Sequence, residues 1–441
     1  MFDSPSDWKG KTMIRACWLL VALLVVSAAS PGQPAEPIEK LIEKLSDEDF
    51  EVRTQAARAI AARGHEALPA LRAARNHPDP EVRRRISEWI PQLERAEILA
   101  PRRVTLHVTN RPVKEVVELI AKQTGYKIEL NQDDTNKTAI TLDLDKATLW
   151  EALDRVCVAG GTVIQHGYGD QTVRLQFLDH HVPFVHRDGA FRLVGTGFHL
   201  GRSVNFSSIP NQPDASDQQS SESLSFSFSL TSEPRLPLLG AGSVKVTKAI
   251  DNLGNDLRPN DQQGLHGSRF SHYWGGHRMN TMSLNAALAG PARHARSVKL
   301  LEGSVPLTLL IREETIELTK DLQGAKGKKF TGGSVQVHVV ELTDKGNNQH
   351  ELKLEVTPVD NKDAGDNAWM NTLYSRIELA DEKGNKLPLY GSSMSRNGNL
   401  AQIAFTYGNR GGAGKPARLI YHDWTTMQHE VSFQFRDLPL P

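Results

Sequence analysis

Residues 104–126 read VTLHVTNRPVKEVVELIAKQTGY and give the clearest indication of the fold class of the chain. Val104, Leu106 and Val108 alternate with polar residues, which is the period of a strand with one buried face. Pro112 lies where a helix can begin, because the N–H groups of the first helical turn have no partner within the helix and proline lacks this group. Apolar residues then recur at helical spacing until Gly125, a typical helix end. The stretch therefore predicts a strand that is followed directly by an amphipathic helix.

The residues up to 178 repeat this alternation of strand and helix. Further strands are predicted at 126–130, 140–144 and 173–177. Thr148 and Glu151 have the spacing of a capping box, which predicts a second helix that ends at paired glycines. The predicted order is β-α-β-β-α-β, with one more strand expected, and two helices packed on one small sheet.

These residues resemble the short N-terminal domain of secretins and TonB-dependent receptors. Three sequences carry the resemblance within residues 103–178: Val104-Thr-Leu-His-Val108, Gln123-Thr-Gly-Tyr126 and Thr148-Leu-Trp-Glu-Ala-Leu153. The resemblance implies a domain over 102–180 that makes protein–protein contacts in the cell envelope and has no catalytic residues. The alternative is a generic α+β domain with a similar pattern. The remaining chain is too short and too polar for a receptor barrel, so the domain would serve another architecture.

The N-terminus has the features of a secretory signal peptide. Lys11 and Arg15 precede the apolar run 17–29, and small residues follow it to Ser30. We therefore interpret 1–35 as a signal peptide of approximately residues 1–30 and a linker, and expect a periplasmic or extracellular protein. An uncleaved anchor is the alternative. Met13 is a second possible start.

Residues 36–98 carry a helical pattern with an internal repeat. Asp49-Phe-Glu-Val-Arg53 recurs as Asp79-Pro-Glu-Val-Arg83. The segment 38–95 resembles HEAT-like α-solenoid repeats, which implies protein binding. Such repeats bury their core by stacking, so one full pair plus a further helix, broken at Pro91, indicates a helical cap or adaptor. A plain helical hairpin is the alternative.

The chain beyond residue 179 is dominated by strand patterns. Strict alternation occurs in 224–230, 305–311, 335–339, 352–356 and 431–435. Glycine-, asparagine- and aspartate-rich turns separate these runs, which is typical of β-sandwiches. We therefore predict a multi-domain α+β protein that ends in two tandem all-β, Ig-like sandwiches, at 182–320 and 325–441.

A second repeat links the two predicted sandwiches. Residues 251–257 (Asp-Asn-Leu-Gly-Asn-Asp-Leu) and 381–387 (Asp-Glu-Lys-Gly-Asn-Lys-Leu) share the pattern Asp-x-x-Gly-Asn-x-Leu. Each follows a predicted strand, at 244–250 and 374–380, so a hairpin turn is the simplest interpretation. Carboxylate and amide oxygens also suit calcium, although the ligand spacing of an EF-hand is missing.

Composition excludes some classes of partner. The formal net charge is +0, so a global attraction to nucleic acid or to an anionic membrane is not expected. Signal cleavage would remove Cys17 and leave Cys157 alone, which excludes an intramolecular disulfide. Cys157 lies on the apolar side of the second predicted helix, so a buried thiol is expected rather than a nucleophile.

No complete catalytic motif is present in the sequence. The stretch 408–415 lacks phosphate-loop spacing, and neither Gly-x-Ser-x-Gly nor His-Glu-x-x-His occurs. We therefore assign no catalytic, cofactor-binding or metal-binding residue. The long loop 252–282 is the one alternative site, since it contains residues that suit a metal or a sugar: His266, His272, Tyr273, Trp274 and His277.

The sequence thus predicts an exported, non-enzymatic interaction or scaffold protein of the bacterial cell envelope. Its partners would be other envelope or secreted proteins, with a surface glycan as a further possibility and no nucleic acid. After signal cleavage the chain would not span a membrane. The alternative is a carbohydrate- or calcium-binding β-sandwich protein that uses the 252–282 loop. A hydrolase on a sandwich scaffold remains a third hypothesis, because fold alone does not exclude chemistry.

Overall fold

The computed structural model describes residues 36–131, 138–165, 171–178, 182–205, 219–259, 279–359, 368–408 and 414–441. The chain divides into two compact units, with the boundary after Ala96. In the part of the chain that the structure describes, the first unit is helical and the second contains the sheets. Among the described residues no helix combines the length and the apolar character needed to cross a membrane.

The first unit consists of short helices around a core of its own. Its described residues form four α-helices: α1 (Ile38–Glu43), α2 (Phe50–Arg63), α3 (Leu68–Ala73) and α4 (Pro80–Leu99), of which α4 ends just past the boundary. Ile60, Leu71 and Ile86 come from three of them and are fully buried together. Gly64 ends α2 with a positive φ of 55°, a conformation that glycine adopts without steric cost. The repeat pattern therefore produces a small stacked helical core, as expected for HEAT-like repeats.

The two Asp-x-x-Val-Arg sequences have the same geometry. Asp49 caps α2 by accepting the Glu51 N–H at 2.8 Å, and Asp79 accepts the Glu81 N–H at 2.7 Å. The arginine of each copy donates to two carbonyl groups of the preceding turn, at 2.6–2.8 Å. The aspartate thus satisfies N–H groups that a helix start leaves open, and the arginine satisfies carbonyls of the turn before it. This explains why both residue types recur together.

Pro91 does not break the helix, contrary to our expectation. It lies inside α4, which continues from Pro80 to Leu99. Proline removes one backbone N–H from a helix but does not prevent the next turns from forming. Ile90 and Leu93 on either side pack against the core, and this packing favours the continuous helix.

Residues 103–177 form the predicted α/β module, which opens the second unit. Its elements are β1 (Arg103–Pro112), α5 (Val113–Thr124), β2 (Ile128–Asn131), β3 (Ala139–Thr148), α6 (Leu149–Gly160), β4 (Thr162–Gln165) and β5 (Val173–Phe177). Thr148 caps α6 by accepting the Glu151 N–H at 3.3 Å, and Gly125 and Gly161 end the two helices in the left-handed region. The order and the helix caps are as predicted, with β4 as the additional strand.

The module has two sheets where one was expected. β1 pairs with β3 antiparallel, while β2, β5 and β4 form a separate sheet in which β2 and β5 are parallel. Each helix contacts strands of both sheets. Successive residues of a helix are rotated by about 100° about its axis. Viewed along the axis, the buried residues of α6 therefore form an arc with Ala152 at one edge, Leu149 inside it and Asp154 at the other edge, which covers more than half of the circumference. One sheet cannot cover so wide a face, so the helix packs on several sides.

Two β domains complete the second unit. The first contains β6 (Val185–Asp188), β7 (Phe191–Asn205), β8 (Gln219–Ser232), β9 (Leu238–Ala241), β10 (Lys245–Asp251), β11 (Thr281–Ala289) and β12 (Ser297–Thr319). The second contains β13 (Lys329–Gly332), β14 (Val335–Gly346), β15 (Gln349–Pro358), α7 (Ala368–Arg376), β16 (Ile377–Ala380), β17 (Leu389–Asn397), β18 (Leu400–Gly408) and β19 (Arg418–Pro439). The helix α7 includes Tyr374, which the sequence had placed in a strand.

Three antiparallel sheets build these domains. One has the order β11-β8-β7-β6 and belongs to the first domain, and another has the order β13-β14-β15-β18-β17 and belongs to the second. The third, β10-β12-β19-β16 with β9 beside β12, contributes to both. Its two central strands pair from Ser297 opposite Pro439 to Thr319 opposite Leu419.

The domains are therefore not in tandem, and the expected boundaries 182–320 and 325–441 need correction. Val431, Phe433 and Phe435 were assigned to the second sandwich, but their side chains lie in the core of the first. Leu419 and Tyr421, earlier on the same strand, lie in the core of the second. Alternation predicts that a strand has a buried face, but it does not identify the strand beside it.

Candidate functional site

The helical unit exposes a fixed row of charges along α4. Arg84 contacts Glu81 at 2.8 Å and Glu88 at 2.7 Å, and Arg85 contacts Glu81 at 2.9 Å. Hydrogen bonds from Arg84 and Arg85 lower the pKa of Glu81 to about 2. These groups are solvated, so the pairs add little stability, but they present an ordered pattern of both charges to a partner.

An exposed aromatic ring lies at the start of α2. Phe50 is 68% exposed, and the Arg53 guanidinium lies over its ring at 5.7 Å from the centroid. Arg53 is itself held by two carbonyl oxygens of the preceding turn. A large apolar ring beside a fixed cation is the kind of group that interfaces use as an anchor.

The α/β module is attached to the first β domain through one face of α6. The Trp150 indole N–H donates to the Ala190 carbonyl oxygen at 2.9 Å. Asp154 binds two guanidinium groups, since its Oδ2 accepts from Arg187 at 2.6 Å and its Oδ1 from Arg192 at 2.9 Å. Only 6% of the Arg192 side chain is exposed. This face of α6 is therefore occupied within the chain, while α5 keeps an outward face of its own.

A second buried carboxylate joins the same two parts. Glu233 is fully buried and accepts hydrogen bonds from the Tyr126 hydroxyl at 2.7 Å and from the Arg102 N–H at 2.9 Å. Burial raises the pKa of Glu233 above its ordinary value, and burial together with the Glu233 charge raises the pKa of Tyr126. Perturbed pKa values often mark functional sites. Here the partners come from the junction, which indicates a structural role.

Cys157 lies on α6, as the sequence predicted. Burial raises the pKa of its thiol to about 11, so the reactive thiolate is scarce at neutral pH. This accords with a packed thiol rather than a nucleophile.

The two Asp-x-x-Gly-Asn sequences form equivalent turns. In both, the aspartate Oδ1 accepts the asparagine N–H at 2.8 Å and the aspartate Oδ2 accepts the asparagine side-chain N–H at 2.8–2.9 Å. Asp381 also accepts the Gly414 N–H at 2.8 Å, and these bonds lower its pKa to about 2. The hairpin-turn interpretation accounts for these contacts, because N–H donors already engage the carboxylate oxygens that calcium would need. Among the described residues no group of three His, Cys, Asp or Glu side chains is arranged to hold a metal ion.

The histidine-rich loop remains a prediction. Its candidate residues, His266, His272, Tyr273, Trp274 and His277, lie outside the described residues. His186 is described, and its ring meets the edge of Phe435 with centroids 6.4 Å apart. Burial lowers the pKa of His186, which suits a neutral packed ring.

Sequence reasoning missed two of the buried carboxylates, Asp154 and Glu233. For Asp154 a signal was present, because a charged residue four positions after Trp150 lies on the same side of the helix. For Glu233 no local pattern distinguishes it from a surface glutamate.

The comparisons with known proteins reach only the helical unit. Residues 36–94 match the HEAT repeats family. No curated protein matches the chain, and no solved structure matches it. The helical unit is therefore similar to HEAT repeats, a similarity that suggests protein interaction.

Proposed function

We propose that the chain is an exported protein of the bacterial cell envelope that acts through protein–protein contacts and catalyses no reaction. The observation that carries the proposal is the HEAT-like unit, whose repeated caps hold a charged and partly aromatic surface in a fixed arrangement. Ordered charges and an exposed aromatic anchor favour a protein partner. The apolar run 17–29 supports export.

The α/β module would contribute a second contact surface. Its element order supports the resemblance to the short N-terminal domain of secretins and TonB-dependent receptors. Because α6 is packed against the first β domain, we place the contact surface on α5, whose outward side includes Glu115, Glu118 and the 36% exposed Leu119. In this proposal the two β domains, as a pair of Ig-like sandwiches, act as the scaffold that positions the module.

Affinity capture from envelope extract tests the proposal. The mature chain serves as bait beside two surface variants, Phe50→Ala with Arg84→Ala on the helical unit and Leu119→Glu on α5. We expect the mature chain to recover a defined set of proteins and each variant to lose part of it. Leu253→Glu is the matched control, since Leu253 is 54% exposed on a turn of the first β domain. Recovery of the same proteins by all four baits, or of none by the mature chain, would contradict the proposal.

Export has a separate test. We expect the full chain, expressed with its N-terminus, to be recovered from the periplasm or medium without approximately its first 30 residues. N-terminal sequencing reads this directly, and an intact N-terminus in the membrane fraction would favour the uncleaved anchor.

A further inference from the structure

The second β domain contains a groove that the interaction proposal does not use. It has a volume of about 650 Å³ and opens between four segments: the turn 320–323, the β14–β15 hairpin, the Asp381 turn and residues 414–417. Clefts of roughly 300–1,000 Å³ are typical of small-ligand sites. The size alone does not assign a ligand, but the side chains around it are informative.

His350 supplies the strongest indication of a ligand. It lines the groove from β15, is only 7% exposed, and forms no hydrogen bond or ion pair with any described residue. Its ring nitrogens are not enclosed by the protein, so they open onto the groove that the residue lines. An imidazole held in the wall of a groove in this way can exchange hydrogen bonds with a bound molecule through both nitrogens.

Acceptors and donors both surround the groove. Asp321 and Asp344 each use Oδ1 to accept a backbone N–H at 2.9 Å, and no hydrogen bond from a described residue reaches Oδ2 of either. Lys383 and Lys415 have no ion-pair partner within the described part of the chain. The backbone bonds keep both carboxylates in place, while the ammonium groups remain able to donate.

The balance of charge argues against a simple ion. Three lysines and four acidic residues line the groove. A phosphate would face fixed carboxylates, including Asp381, and a metal cation would face the lysines, so each would meet like charges. A ligand with many hydroxyl groups meets no such conflict, because every hydroxyl both donates and accepts. Leu342 and Ala417, which are partly exposed, add apolar surface for the C–H faces of such a ligand.

We propose that this groove binds a saccharide, with His350 as the polar contact in its wall and Lys383 and Lys415 at the rim. The site is distinct from the histidine- and aromatic-rich loop at 252–282. It also goes beyond the interaction proposal, since it concerns other residues and a different class of ligand.

Titration calorimetry with the full chain tests the saccharide site. The probes are maltohexaose, cellohexaose and chitohexaose, with inorganic phosphate and Ca²⁺ as comparison ligands. We expect at least one hexasaccharide to bind. His350→Phe, which keeps a ring and removes both nitrogens, and the pair Lys383→Ala with Lys415→Ala should each weaken binding at least tenfold.

Leu253→Ala is the matched control, because Leu253 occupies in the Asp251 turn the position that Lys383 occupies in the Asp381 turn. It should leave the affinity unchanged. If His350→Phe lowers the thermal midpoint, the surface lysine pair decides the test. The proposal is overturned if no hexasaccharide binds, if phosphate or Ca²⁺ binds in its place, or if the lysine pair leaves hexasaccharide binding intact.

Discussion

Asp154 is the residue on which the attachment of the α/β module depends most. It neutralises two arginines, one of them almost completely buried, at the point where α6 meets the first β domain. Removing one partner of a buried ion pair leaves an uncompensated charge in a medium of low dielectric. Sequence alone ranks Asp154 as an ordinary helix residue, while its contacts make it a structural one.

We expect Asp154→Asn to lower the free energy of unfolding by about 3 kcal/mol, because Arg192 would lose its buried counterion. Urea denaturation of the purified chain measures the change. Asp143→Asn is the control, because the Asp143 side chain is 86% exposed in its contact with His107. That substitution should change the free energy by less than about 0.5 kcal/mol. Equal effects of the two substitutions would contradict the role of Asp154.

Glu233 predicts a pH dependence of stability. Burial raises its folded-state pKa above the ordinary value of 4.5, so the folded chain holds this proton more tightly than the unfolded chain does. The contribution of Glu233 to stability is therefore fully present below pH 4.5 and is lost as the pH rises through the folded-state pKa. Glu233→Gln should remove this pH-dependent contribution. The free energy of unfolding of the variant, relative to that of the natural chain, should therefore increase as the pH rises.

Urea denaturation of both proteins from about pH 4 to about pH 8 measures this difference. Parallel stability curves would show that Glu233 does not titrate differently in the folded and unfolded states. Tyr126→Phe is a useful companion, since it removes one hydrogen bond to the carboxylate and leaves the ring in place.

At the scale of elements, β12 and β19 decide the architecture. They are paired over almost their whole length, and each contributes to two hydrophobic cores. Gly303 on β12 makes this packing possible, because a Cβ there would lie 2.5 Å from the Phe433 ring. The last strand of the chain thus completes a domain that begins more than two hundred residues earlier.

We expect Phe433→Ala to destabilise the first β domain by about 3–5 kcal/mol, as loss of a buried aromatic ring does. Phe433 packs against Phe228 and Phe435, with ring centroids 5.3 Å and 5.9 Å away. Hydrogen exchange should therefore rise first in β8 and β11. Ile403→Ala in the other core is the mirror control and should act first on β15. Faster exchange confined to the second domain in Phe433→Ala would support tandem domains instead.

At the scale of the whole molecule, the two units have separate cores. The helical core draws only on residues between 38 and 93, while Ile98 and Leu99 pack against the core of the first β domain. The end of α4 thus belongs to the second unit. A unit that buries its own apolar surface is expected to fold alone.

We therefore expect a chain that begins at Glu97 to keep the thermal midpoint of the second unit. A chain that begins at Pro101 is the matched control, because it lacks Ile98 and Leu99 and should melt at a lower temperature. Circular dichroism in the β region follows both. A large loss of stability in the longer of the two chains would show that the second unit depends on the helical unit.

The local structure could be predicted from the sequence. Hydrophobic patterns of period 3.6 and period 2 predicted the helices and strands. Thr148, Gly125 and the repeated Asp-x-x-Val-Arg and Asp-x-x-Gly-Asn sequences predicted caps and turns, because these features depend on neighbours in the chain. The way in which these elements combine became visible in the folded chain. The pairing of β19 with β12, the division of the module into two sheets, the burial of Asp154 and Glu233 and the groove around His350 all join residues that are distant in sequence. Local sequence patterns do not identify such partners, since burial and strand pairing are properties of the packed chain.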